Sequence, residues 1–379
     1  MILGVNGIRL VGKRSGVGRA IEAVLGCLDE VPHPFSEVRV YTPQPLGVDV
    51  RLPSCGTSVV LPTSLSNAVW EQFVLPRAHG SRNLLFCPSY VVPLLAKCPT
   101  LLAHHGSYEG YPRAFGWWKL NKARAIYTAS AWRATAVSTV SESSKRDMVR
   151  FYRMTPDRIH VVPEGVDIRT FNPIADRERL ARWRETVFGA DVPFIVYVGK
   201  PTERRNLSPL IRAFALLKKQ EKIPHKLLVV GAALPGTSPF RKVIEELKLS
   251  EEVVVRGYVG HDEMPLVYNA TDLFVYPSSY EGFGMPVLEA MACGAPVIAL
   301  NNTVFPEFAG GIAHLLKDGQ VQTLREGISE VLGDPEFKAR AAEAGPRRAA
   351  AYDWRLVTRR YVDLMCQLLN RPASVQVRV

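Results

Sequence analysis

The stretch Ser278-Ser-Tyr-Glu281-Gly-Phe-Gly-Met-Pro-Val-Leu-Glu289-Ala-Met-Ala-Cys-Gly-Ala-Pro-Val-Ile298 carries two carboxylates with two glycines and a proline between them. The apolar run before it, Ala270 to Tyr276, reads as a buried parallel strand that Pro277 ends. Pro286 suits the first turn of a helix, and Val287, Leu288, Met291 and Ala292 supply that helix with an apolar face. Gly294 closes the helix, and Ala295 to Leu300 reads as the next strand. Glu281 therefore falls on the loop at the carboxyl end of a strand, and Glu289 in the first turns of the helix that follows.

A strand, a glycine loop and a helix in this order present unpaired backbone N–H groups and the positive end of a helix dipole to an anion. Gly282 and Gly284 lack a Cβ, so the backbone there can approach a ligand closely. A carboxylate beside an anion site needs a reason. Glu281 suits developing positive charge, and Glu289 suits hydroxyl groups. A sugar nucleotide offers a diphosphate, ribose hydroxyls and an oxocarbenium-like anomeric carbon. Standing alone, such a pair reads as a solvated loop glutamate and a dipole-complementing helix glutamate; the glycine loop and the preceding strand favour a ligand.

Working outward, strands alternate with helices on both sides. Met1–Asn6, Val38–Tyr41, Leu84–Cys87, Thr100–Ala103, Thr135–Ser138 and Ile159–Val162 read as strands of a first doubly wound parallel sheet. Gly12 to Arg19 reads as a glycine loop, Ala20 to Leu28 as a helix, and Ser141 as the N-cap of a helix over 143–151. A second unit opens near Val192, with strands over 193–199, 226–231, 253–256, 273–276 and 295–300 and a helix from Leu207 to Gln220. The Arg-rich stretch Asp167–Gly189 reads as a linker. Two such sheets in tandem predict a cleft faced by strand carboxyl ends.

The segment now resembles the Glu-x7-Glu signature of retaining family 4 glycosyltransferases of the GT-B fold, and the similarity covers most of the chain. The resemblance implies an α/β architecture of two Rossmann-like domains facing an interdomain cleft. Residues 1–170 would form the acceptor side and 171–353 the nucleotide-sugar side, with a last helix, from about 354 to 379, packing back on the first domain. It places Glu281 near the donor sugar, Glu289 on the ribose, and the Gly282, Phe283, Gly284 and Met285 amides on the diphosphate. Lys200 and Arg205 in Gly199-Lys-Pro-Thr-Glu-Arg-Arg-Asn-Leu207 occupy the family's basic positions, arginine standing where lysine is usual. Cations at a helix N-terminus are disfavoured without an anion, which supports a ligand there over a basic loop capped by Asn206.

In Leu102-Ala-His104-His105-Gly-Ser, aligned through Ser107, Glu109 and Pro112, His104 takes the place of the family's sugar-contacting histidine, and His105 stands as the candidate one register away. Gly16 and Gly18 resemble the N-terminal glycine loop near donor phosphate, and a plain turn is the competing reading. Val259 lies where the family's base pocket forms. Glu164-Gly-Val-Asp167 matches a loop that usually carries asparagine before the glycine.

Formal net charge is +11, from 47 Lys and Arg against 36 Asp and Glu. No zinc-finger or RNA-recognition sequence accompanies it, which argues against nucleic acid and for phosphorylated ligands or anionic lipid. The scattered cysteines form no C-x-x-C and suit a reducing compartment. The most apolar stretch, Leu84–Ala103, is broken by Pro88, Pro93 and Pro99 and holds Lys97, against a membrane span. A cytoplasmic protein is expected, with no signal peptide read at its start. Arg113–Arg133 mixes Trp117, Trp118, Tyr127 and Trp132 with basic residues, which fits either a core and acceptor site or a peripheral contact with the inner face of an anionic membrane.

The expectation is a metal-independent hexosyltransferase without a cofactor, since no Asp-x-Asp occurs. Its partners would be a GDP-mannose or UDP-sugar donor and a sugar or lipid-linked hydroxyl acceptor, in polysaccharide, glycolipid or glycosylated metabolite synthesis. Two other classes remain: a hydrolysing sugar-nucleotide epimerase, which shares the fold but releases nucleotide without an acceptor, and a non-catalytic nucleotide-sugar-binding protein, which would keep the cleft yet tolerate Glu281→Ala and against which the intact loops argue.

Overall fold

The computed structural model describes residues 1–12, 16–108, 117–231 and 239–370. Lys13 to Ser15 of the glycine loop, Glu109, Pro112, the start of the aromatic–basic segment at Arg113, the side chains of residues 117–120 and the residues after Asn370 lie outside that description. Internal contacts divide the chain into two units, Met1–Gly165 with the segment from Trp354, and Val166–Asp353.

The first unit holds β1 (Ile2–Asn6), α1 (Gly16–Gly26), β2 (Glu37–Thr42), β3 (Gly56–Val60), α2 (Asn67–Val69), α3 (Leu75–His79), β4 (Leu84–Cys87), β5 (Thr100–His104), α4 (Trp117–Arg133), β6 (Ala136–Thr139), α5 (Glu142–Tyr152) and β7 (Ile159–Val161). Its seven-stranded sheet has the order β3-β2-β1-β4-β5-β6-β7. Every pairing is parallel, with Leu3 opposite both Val38 and Leu84. Strands covered on both faces are buried along their whole length, as Leu84–Cys87 and Thr100–His104 are, the polar Thr100 and His104 included.

The second unit holds α6 (Arg177–Phe188), β8 (Phe194–Val198), α7 (Leu207–Leu216), β9 (Lys226–Val230), α8 (Pro239–Glu246), β10 (Val253–Arg256), α9 (Met264–Ala270), β11 (Leu273–Tyr276), α10 (Met285–Ala292), β12 (Val297–Leu300), α11 (Phe305–Phe308), β13 (His314–Leu316), α12 (Val321–Gly333) and α13 (Pro335–Ala350). Its six strands run β10-β9-β8-β11-β12-β13, again all parallel. Leu207, Leu210, Ile211 and Phe214 of the α7 stripe, with Leu217 just after it, pack with Ile195, Tyr197, Leu227 and Val229 in one core. The chain then enters α14 (Trp354–Asn370), which belongs to the first unit; Val357, Tyr361, Leu364, Met365 and Leu368 are buried along it, and Tyr361 lies 5.3 Å from Phe86.

Three expectations change, and one competing reading, the Asn206 cap, falls away. The first helix begins at Gly16, so Gly16 and Gly18 are helical rather than loop residues. Glycine is well tolerated about a helix N-terminus, so two glycines do not stop the helix from starting there. The stretch Asp167–Gly189 is not a linker: Asp176 caps α6 by accepting from the Arg179 N–H, Leu180 and Trp183 are buried, and Trp183 Nε1 donates to Glu263 Oε1 at 3.0 Å. The helix from Leu207 is α-helical to Leu216 and passes into a π turn over Leu217–Glu221. Asn206 precedes α7 in the left-handed region but makes no side-chain cap.

Candidate functional site

In the second sheet the chain leaves β8 for β9 on one side and later returns to β11 on the other. The β8/β11 boundary is thus the switch point, where an open α/β sheet leaves a crevice outside its strand carboxyl ends. The two loops that leave these strands carry the residues singled out above, and they are joined by hydrogen bonds. Ser279 N–H donates to Arg204 O at 2.7 Å. Asn206 Nδ2, free of a capping role, donates to Pro277 O at 2.8 Å and Ser279 Oγ at 2.9 Å.

Glu281 lies at the centre of this junction and is 4% exposed. Its Oε1 accepts from Arg204 Nη1 at 2.6 Å, Tyr276 OH at 2.8 Å, Arg205 Nε at 3.0 Å and Ser278 Oγ at 3.1 Å. Burial pushes its carboxyl up, but the charges of Arg205 and Arg204 with their hydrogen bonds outweigh burial and hold it below the usual carboxylate range. Burial works against the Arg205 charge too, yet Tyr276 and Glu281 keep that guanidinium firmly protonated. Arg205 also lies over the Tyr276 ring at 5.5 Å. A side chain at Gly199, whose φ is +142°, would run into Arg205, so the glycine is what lets this arginine fold back. Lys200, in the same loop, is exposed.

The glycine loop continues into α10. Gly284 has φ +96°, and a Cβ there would meet Phe305 at 2.8 Å, so both backbone and space demand glycine. Phe283 stacks on Phe308 at 4.9 Å, which fixes the loop from below. Gly282 is buried, Met285 opens α10, and Glu289 within it is 6% exposed and accepts from Tyr268 OH at 3.1 Å. At the end of β10, Gly257 O accepts from Gly231 N–H at 2.9 Å and Val259 is 5% exposed.

Sequence reasoning named Arg205 and passed over Arg204, which makes the shorter bond to Glu281. The signal was the adjacent arginine pair in a short loop after a strand. The structure brings Arg205, Lys200, Glu281 and Gly282–Met285 onto these two loops and the start of α10. His104, Gly16 and Gly18 belong to the first unit.

In that unit His104 ends β5, fully buried, with Nε2 2.9 Å from Tyr152 OH and its ring against Tyr90, Tyr127 and Tyr152. Burial, and then His105, push it down to about 3, so it is neutral, and Nδ1 has no partner among the described residues. His105 faces elsewhere: Nδ1 meets Glu164 Oε1 at 2.5 Å and Nε2 meets Pro88 O at 2.9 Å. Burial lowers its pKa, but the Glu164 carboxylate outweighs burial and the net direction is up. His105 therefore ties the ends of β4, β5 and β7 together. Among the described residues no group of three or more His, Cys, Asp or Glu side chains is placed to hold a metal ion, and no helix is long and apolar enough to cross a membrane.

This pairing of doubly wound sheets is the GT-B architecture. Two family models match the chain, Glycosyltransferase Family 4 over residues 17–170 and Glycosyl transferases group 1 over residues 182–348, and the chain belongs to this glycosyltransferase family. It is 28% identical over 230 residues to the O-antigen chain mannosyltransferase B of Escherichia coli, covering 61% of this chain and 60% of that protein. It is 30% identical over 241 residues to the MMP alpha-(1->4)-mannosyltransferase of Mycolicibacterium hassiacum, covering 62% and 55%. The chain thus spans less than two thirds of the length of these relatives. In fold it is similar to the sucrose-phosphate synthase of Thermosynechococcus elongatus, with a TM-score of 0.78 at 20% identity over 97% of this chain and 99% of that one. Anabaena HepE in complex with UDP and glucose gives a TM-score of 0.77 at 19% identity over 97% and 99%.

Proposed function

We propose that this protein transfers a hexose, with retention of anomeric configuration, from a nucleotide diphosphate sugar to a hydroxyl acceptor. The observation that carries the reading is the buried Glu281 holding Arg204 and Arg205 at the β8/β11 switch point, one glycine loop away from the start of α10. As the bond from the anomeric carbon to the diphosphate breaks, negative charge grows on the leaving phosphate. Arg204, Arg205, the exposed Lys200 and the Gly282–Met285 amides are the groups that meet it. Glu281 keeps the guanidiniums charged and aimed, and it stands beside the developing positive charge of the sugar. Glu289 takes the ribose hydroxyls, and Val259 lies beside the base. His104, neutral and fully buried in the first unit, is proposed for the donor sugar on the family resemblance alone. The acceptor hydroxyl enters on the face the diphosphate leaves, so the diphosphate itself accepts the acceptor's proton.

Both relatives named above are mannosyltransferases, which makes GDP-mannose the first donor to try, with UDP-sugars next. The test is to incubate the protein with GDP-mannose and UDP-glucose and follow released nucleotide and the anomeric proton signals together. The reading expects nucleotide release from one donor, with the first-formed sugar or glycoside in the donor's α configuration. A β product would contradict retention, and an unchanged donor in every case would contradict the transferase reading.

We also propose that the first unit touches an anionic membrane through the outer face of α4. Ile126 and Trp132 are exposed there with Lys122 and Arg133, and Leu94 and Leu95, whose segment Arg133 holds, are exposed as well. Apolar side chains ringed by cations suit a headgroup layer. Co-sedimentation with phosphatidylglycerol vesicles at low salt is expected, with loss at high salt and none on phosphatidylcholine. Failure to bind the anionic vesicles at low salt would end this reading.

A further inference from the structure

The first sheet has a switch point of its own, between β1 and β4. At its carboxyl edge sits a buried carboxyl that nothing above uses. Glu71 is 9% exposed and accepts from Asn6 Nδ2 at 2.8 Å; Asn6 ends β1, and Ile8 N–H, donating to Asn6 Oδ1 at 3.2 Å, fixes which way that amide faces. The thiol of Cys87, which ends β4, is close enough to feel the Glu71 charge. The carboxyl therefore stands between the ends of the two strands that define the crevice. Among the described residues no cation lies within ion-pair distance of it, and burial, only partly offset by Asn6 and the charge of Arg9, raises its pKa.

The backbone that holds Glu71 is unusual and firmly anchored. Trp70–Val74 is a π turn between α2 and α3. Pro76 explains it: a proline in the following turn has no N–H for the carbonyl four residues back. Trp70 is fully buried and its Nε1 donates to Leu61 O at 2.9 Å. Gln72 donates to Val92 O at 3.1 Å and accepts from Leu94 N–H at 2.9 Å. The residues on either side of Glu71 are thus fixed, and the carboxyl is held where it is costly. A buried carboxyl with one neutral partner lowers stability, and π turns recur at functional sites.

We propose that Glu71 is an acceptor-binding residue, whose carboxyl takes hydrogen bonds from hydroxyl groups of a sugar or polyol acceptor at the β1/β4 switch point. This rests on the transferase reading. A carboxylate repels a diphosphate, so the site does not suit the charged part of the donor. It suits neighbouring hydroxyl groups, which satisfy a carboxylate without a cation. Asn6 presents its amide to Glu71 and positions it.

The experiment compares wild type, Glu71→Gln and Asn6→Ala. Donor hydrolysis without acceptor is measured first, then transfer to a panel of methyl hexopyranosides and polyols. For Glu71→Gln the acceptor KM rises roughly tenfold, the scale of one charged hydrogen bond. Donor KM and donor hydrolysis stay within about twofold, which also shows the variant folded. Asn6→Ala shifts acceptor KM in the same direction and leaves donor hydrolysis in place. An unchanged acceptor KM in Glu71→Gln would overturn the inference, as would equal losses toward donor and acceptor, which mark a structural role. Wild type that hydrolyses donor yet glycosylates nothing in the panel would also overturn it. Wild type that neither binds nor hydrolyses any nucleotide sugar would instead overturn the transferase reading beneath it.

Discussion

Glu281 is a single buried carboxylate on which four donors converge. Spacing put it on a loop at a strand end; only the fold shows that Arg204, Arg205, Tyr276 and Ser278 converge on one of its oxygens. Replacing it by Gln keeps the shape but leaves two largely buried guanidiniums facing a neutral amide. Breaking one side of such a pair costs about 3–5 kcal/mol, less here because both arginines keep some solvent contact. Urea denaturation of Glu281→Gln is expected to show a loss of roughly 2–4 kcal/mol. Because the folded pKa of Glu281 is depressed, its stabilisation is present above the unfolded carboxyl value, 4.5, and is lost as pH falls through the lower folded value. The acid limb of wild-type stability is therefore steeper than that of Glu281→Gln.

The two histidines give opposite slopes. His104, held neutral and pushed down to about 3 from 6.5, favours the fold above pH 6.5 and loses that contribution as pH falls toward 3. His105, raised by Glu164, contributes fully below 6.5 and loses its share as pH rises through its higher folded value. A Tm series from pH 4 to 9 on His104→Gln and His105→Gln separates them. The first variant loses less stability than wild type on the acid side, and the second loses less on the alkaline side. Identical pH profiles for both variants would contradict these assignments.

At the scale of elements, the central strands were plain in the sequence because burial on both faces makes them continuous apolar runs. Leu273–Tyr276 and Leu84–Cys87 are found where the pattern puts them. The edge strands β3 and β13 were not anticipated. An edge strand is buried less: Gly56–Val60 has no buried position and so lacks the continuous apolar run of a central strand, and its pairing with β2 is what shows it to be one. Helix α6 was hidden for a related reason: its arginines and glutamates cover a solvent face, while Leu180 and Trp183 alone mark the buried one. The start of α10 depends on backbone geometry that a lone glycine in a sequence does not reveal. Gly284→Ala meets both a left-handed φ and Phe305, and should cost about 1–3 kcal/mol. Adding Phe305→Leu relieves the contact but not the backbone, so it recovers only part of the lost stability. Full recovery would show that φ plays no role.

At the scale of the molecule, the chain leaves the first unit after Gly165 and returns to it at Trp354. The buried stripe of α14, with Val357, Tyr361, Met365 and Leu368, completes that unit's packing although it follows the second unit in sequence. Truncation before Trp354 should raise hydrogen exchange in β1, β4 and α1 while leaving β8–β12 protected. Equal loss of protection in both units would contradict this division.

The central claim is that the loops after β8 and β11, with the start of α10, hold a nucleotide diphosphate through Arg204, Arg205 and Glu289. It is tested most directly by thermal-shift titration of wild type, Arg204→Gln, Arg205→Gln and Glu289→Ala with UDP, GDP, ADP and dTDP and their common sugars. Wild type is expected to show an upward shift selective for one nucleotide. Both arginine variants should weaken it roughly tenfold or more, as loss of a charged phosphate contact requires, and Glu289→Ala should weaken it as well. A wild type that shifts with no nucleotide at millimolar concentration, or variants that bind as tightly as wild type, would contradict it.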